Sequence, residues 1–128
     1  PGIDRRPIDQ MIVDVGPEAF RRLAALFQEE TRGAVIEMRR CLAAADWREL
    51  GRQAHSLKHS TASFGLTDLA AAALALETAA DASNAKESAA RVEQLEAMAE
   101  EELAELQDAQ RSLFFSSPDV GRGKGIAD

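Results

Sequence analysis

Between residues 47 and 64, apolar side chains return at intervals of three and four: Leu50, Ala54, Leu57, Thr61 and Phe64. At about 100° per residue they fall within about 40° of one line, which predicts a helix with a single buried stripe. Asp46-Trp47-Arg48-Glu49 reads as a capping box that opens this helix, and Gly65 reads as the left-handed residue that closes it. Trp47 sits at the edge of the stripe, where its ring packs and its N–H stays wet. Upstream, Phe20, Leu23, Ala24, Phe27, Ala34, Met38, Cys41 and Leu42 keep the same period behind Pro17, a residue suited to the first helical position. Polar Thr31 and Gly33 interrupt that stripe. One glycine costs about 1 kcal/mol relative to alanine, too little to end so long a helix. Residues 8–15, ahead of the Gly16-Pro17 break, predict a brief helix with Ile8, Met11, Ile12 and Val15 turned inwards.

Downstream, Thr67 opens a helix over residues 68–80, with Leu69, Ala73, Leu76 and Ala80 on one face. So short a connection requires the two helices to lie antiparallel. A second capping box, Asn84-Ala85-Lys86-Glu87, starts a long final helix marked by Val92, Leu95, Ala99, Leu103, Leu106 and Leu113. Its glutamates at 93, 96, 100, 101, 102 and 105 are expected mostly on a solvated outer face. No β-branched run alternates. The expected fold is all-α: an antiparallel up-down four-helix bundle with a short extra N-terminal helix. Residues 1–7 are expected to be a linker, 8–114 the domain and 115–128 a disordered tail.

With 128 residues, 45% of them apolar, the chain suits one domain with one core. The formal net charge of −7 argues against nucleic acid as a partner. No apolar run approaches a membrane span, and the N-terminal residues lack a signal-peptide core, so the expected location is the cytoplasm. The lone Cys41 cannot form an internal disulfide and lies on the helical stripe, which reads as core. A monomer is expected, since one bundle of this size can close on itself.

Both histidines of the chain, His55 and His59, fall within one turn of the helix over residues 47–64. His55 lies about 140° from the centre of the buried stripe, which points it to solvent. An exposed neutral imidazole is a nucleophile that a partner can reach. Gly51 and Ala62 leave room beside it, and Lys58, one turn along, is placed to meet a phosphoryl group. Arg48 and Arg52 form a local basic patch on an acidic protein. No Gly-rich phosphate loop or Gly-Lys-Ser/Thr motif is present, so the chain is expected to have no ATP-dependent kinase site.

The run Ala54-His55-Ser56-Leu57-Lys58, then Ser60 to Gly65, Leu69 and the pair Leu76-Glu77, resembles the histidine-containing phosphotransfer (HPt) domains of multistep phosphorelays. That resemblance implies His55 as phosphoacceptor and Lys58 as the residue that stabilises phosphohistidine. It implies a phosphocarrier without cofactors of its own, with Mg²⁺ supplied by the partner receiver domain. Its partners would be a sensor or hybrid histidine kinase and a response-regulator receiver. Docking is expected around Arg48, Gly51, Arg52 and Ala62. Where the family usually has Gly after the Lys, this chain has His59, which is expected to modulate docking or hold the phosphoryl group. Two other classes fit parts of the pattern. A metal site would use His55 and His59 at i, i+4, although zinc wants further ligands. A non-catalytic helical docking or dimerisation module would leave both histidines merely exposed.

Overall fold

The computed structural model describes residues 4–116, and every regular element among them is helical. Five helices follow in order: α1 (Arg5–Val15), α2 (Pro17–Ala44), α3 (Trp47–Ser63), α4 (Thr67–Asp81) and α5 (Ala85–Ser116). α2, α3, α4 and α5 touch in a closed ring, with α3 against α4 the most extensive pairing, and α1 packs on α2. None of the described helices is long and apolar enough to cross a membrane.

The stripe of α3 is inside as expected: Leu50, Ala54, Leu57, Thr61 and Phe64 are all buried. So are Leu69, Ala73, Leu76 and Ala80 of α4 and Val92, Leu95, Ala99, Leu103 and Leu106 of α5. Phe64 stacks on Phe27 at a centroid distance of 4.6 Å and tilts against Phe20 at 6.2 Å, tying the end of α3 to α2. Across α2 and α5, Gln28 bonds Gln110, whose own amide nitrogen donates to the Arg21 carbonyl at 2.9 Å. Cys41 is a free, buried thiol.

Several expectations need correction. α1 begins at Arg5 rather than residue 8, because Asp4 caps it by accepting from the Arg6 amide at 3.1 Å. Val15 and Leu23 are exposed, at 44% and 42%. Thr31, read as an interruption of the α2 stripe, is buried on it. Both capping boxes close by half. Asp46 accepts from the Glu49 amide and Asn84 from the Glu87 amide, but Glu49 turns to Arg52 and Gln53, and Glu87 to Arg91. The cap amides have other acceptors: Asp46 donates to the Cys41 carbonyl and Asn84 to that of Ala79, the ends of the preceding helices. Leu66, not Thr67, occupies the cap position of α4 and supplies no side-chain bond. α5 continues to Ser116, past the expected boundary at 114, and the rest of the expected tail lies outside the described residues.

Gly65 does take the left-handed conformation, with φ of 73°. It also meets a second demand. Its carbonyl accepts from the Asp4 amide at 2.9 Å, and a Cβ there would lie 2.1 Å from the Asp4 oxygen. The N-terminus of α1 is thereby fastened to the turn that ends α3.

Candidate functional site

α3 presents His55 with its side chain 54% exposed, on the face away from Leu50, Ala54 and Leu57. The sequence reading gave the helix after Gly65 some part in docking without naming a residue for it, and Glu77 of α4 stands at the centre of the site. Its Oε2 lies 2.8 Å from His55 Nδ1 and its Oε1 accepts from Lys58 Nζ at 3.0 Å. The Lys58 ammonium beside Glu77 holds its carboxyl below the usual range, the His55 contact acting in the same sense and burial opposing both. An ionised carboxylate only accepts, so Nδ1 carries a hydrogen towards it, and in the neutral ring the lone pair falls on Nε2. One acid therefore selects the tautomer, orients the ring and positions the cation.

The Leu76-Glu77 pair was visible in the sequence, and the period of α4 was the available signal for the role of Glu77. Leu76 and Ala80 are buried, so Glu77, next to Leu76 and one turn before Ala80–Asp81, lies at the margin facing α3. What the spacing did not supply was the register of α4 against α3.

The remaining expected site residues divide. Arg48, Arg52 and Ala62 are exposed. Arg52 is engaged by Glu49 at 2.6 Å, which offsets part of its charge. Gly51 is buried, and a Cβ there would lie 3.0 Å from Asp81 Oδ1 and 3.8 Å from the Ala80 Cβ. Its smallness thus serves the approach of α4 as well as the space beside His55. A shallow cavity of about 480 Å³ is bounded by Arg48, Gly51, Arg52, His55, Glu77 and Asp81. Its rim is of mixed charge rather than purely basic. His59 is exposed, and its ring meets that of His55 edge-on at 4.7 Å and 72°. Among the described residues no three side chains gather as metal ligands.

A helical ring with a half-exposed histidine held by an acid from the neighbouring helix defines a class of module, and comparison with known proteins agrees. The profile of the Hpt domain family matches residues 22–109. The chain belongs to the Hpt domain family, whose members are phosphotransfer modules of two-component signalling without a kinase site of their own. No curated protein matches the chain. Among solved structures, histidine-containing phosphotransfer protein B (HptB) from Pseudomonas aeruginosa PAO1 shares the fold. It superposes with a TM-score of 0.83 at 21% sequence identity, over 87% of this chain and 96% of that one.

Proposed function

We propose that this chain is a phosphorelay intermediate that receives a phosphoryl group on His55 and passes it to a response-regulator receiver domain. The observation that carries the reading is the contact of Glu77 with His55 Nδ1, which leaves Nε2 as the nucleophile on a half-exposed ring. In the forward step the Nε2 lone pair attacks phosphorus of an acyl phosphate on a receiver aspartate, or of a phosphohistidine on a kinase. The new N–P bond forms as the donor's P–O or P–N bond breaks, and the donor keeps that electron pair. The imidazole, still protonated at Nδ1, gains positive charge, which the Glu77 carboxylate stabilises. In the onward step the same cation makes the ring a good leaving group. Lys58, held by Glu77 at 3.0 Å, retains donors for the phosphoryl oxygens.

The divalent ion and lysine of the receiver supply the remaining charge neutralisation in this reading, and Arg48, Arg52, Gly51 and Ala62 border the docking face. The closed ring of α2–α5 supports an antiparallel up-down four-helix bundle with α1 as a short addition. A monomer in the cytoplasm fits that role.

Time-resolved transfer from a panel of phosphorylated receiver domains tests the reading. Acid-labile labelling of wild type that is lost in His55→Gln supports it and identifies the partner. A folded wild-type protein that takes phosphoryl from no receiver or kinase sinks it.

A further inference from the structure

We propose that His59 is a second phosphoryl-binding residue, donating a ring N–H to the phosphoryl group carried by His55 and lengthening the life of the phosphorylated protein. The inference rests on the phosphocarrier reading and adds a residue to it. Around α3, Lys58 lies about 60° to one side of His55 and His59 about 40° to the other. The Lys58 side is occupied, because Glu77 bonds both Lys58 Nζ and His55 Nδ1. On the other flank, the His59 ring nitrogens have no hydrogen-bond partner among the described residues, and its ring already touches that of His55 at 4.7 Å. A phosphoryl group on Nε2 extends from the edge of the ring remote from Glu77. His59, exposed and in edge contact with the His55 ring, is the side chain on that flank placed to turn a ring N–H towards one of its oxygens.

The chemistry gives the direction of the effect. The phosphoryl group brings about two negative charges to a ring whose other nitrogen already faces the Glu77 carboxylate. Spontaneous hydrolysis breaks the N–P bond, a water oxygen bonds phosphorus, and the imidazole leaves with its electron pair. In the loose transition state the phosphoryl group in transit to water resembles metaphosphate, whose oxygens carry less charge than those of the dianion. A donor on those oxygens therefore stabilises the ground state more than the transition state. An imidazole has an N–H to give in either protonation state.

The test phosphorylates the full chain with phosphoramidate, which transfers its phosphoryl group to imidazole with release of ammonia, and follows the decay of label at neutral pH. Wild type, His59→Ala, His59→Gln and His55→Gln are compared after circular dichroism has shown that each is folded. His59→Ala is expected to lose phosphoryl about three- to tenfold faster than wild type, the effect of one charge-assisted hydrogen bond at an exposed site. His59→Gln, which keeps an N–H donor, is expected to restore most of the lifetime. Equal lifetimes for wild type and His59→Ala overturn the inference and leave the carrier reading standing. Label on His59 in His55→Gln overturns it as well, since His59 is then an acceptor. A folded wild type that takes no label on His55 removes the carrier reading and this inference together.

Discussion

Glu77 Oε2 stands 2.8 Å from His55 Nδ1, across the boundary between α4 and α3. Because the same carboxylate holds Lys58, replacing it separates orientation from charge. Glu77→Gln still offers an oxygen to Nδ1–H but cannot balance an imidazolium or an ammonium. Phosphoryl acceptance by Glu77→Gln is expected to fall about tenfold, and by Glu77→Ala further, in single-turnover transfer at saturating donor.

The same residue has a stability signature. Its carboxyl titrates below the ordinary range in the folded chain, so the unfolded state binds its proton first as pH falls. The stabilisation is present above the unfolded value and is lost as pH drops through the folded one. Melting curves should show wild type losing more stability than Glu77→Gln between about pH 5 and pH 3.

Glu102 behaves in the opposite sense. It is buried at 2% exposure with Oε1 unpartnered among the described residues. Burial, reinforced by Asp68 and opposed by a bond from the Leu69 amide, pushes its carboxyl up to about 7. A raised folded value means stability is fully present below the unfolded pKa of about 4.5 and is lost as pH rises through about 7. Glu102→Gln should leave stability near pH 4 unchanged and raise it by about 1–3 kcal/mol at pH 8. Denaturant titration at the two pH values checks both halves.

Two glycines should answer alanine differently. A Cβ on Gly33 meets nothing within 4 Å, so Gly33→Ala is expected to stabilise by about 0.5–1 kcal/mol. Gly65→Ala combines φ of 73° with a Cβ 2.1 Å from the Asp4 oxygen. Its expected cost is about 1–3 kcal/mol. Faster amide hydrogen exchange at Asp4, whose N–H donates to the Gly65 carbonyl, would mark the loss of that fastening.

The all-helical class and the site-bearing helix were readable because one face of α3, α4 and α5 keeps a strict period, from Leu50 to Phe64, Leu69 to Ala80 and Val92 to Leu106. Thr31 and Glu102 were misread because periodicity assigns polar residues outwards, whereas a stripe in a closed ring is wider than its apolar members. Val15 and Leu23 failed for the converse reason: an exposed aliphatic residue costs little and needs no partner. The half-closed capping boxes turned on chain connectivity, since the carbonyls of Cys41 and Ala79 reach the cap amides first. At the site, the place of His55 on its helix was legible and its partner was not. Helical spacing fixes neighbours along one helix, while the pairing of His55 with Glu77 depends on how far α4 slides along α3.

That dependence makes the site a reporter of folding. In a chain whose α3 and α4 had come apart, His55 would still be present and still nucleophilic, but no carboxylate would hold Nδ1 out of reaction. The docked pair reserves Nδ1 for the carboxylate, so a native molecule carries the phosphoryl group at one ring position, whereas loosened molecules yield a mixture of two isomers. The isomer ratio, resolved by ³¹P NMR, would measure what fraction of a sample has its third and fourth helices in register.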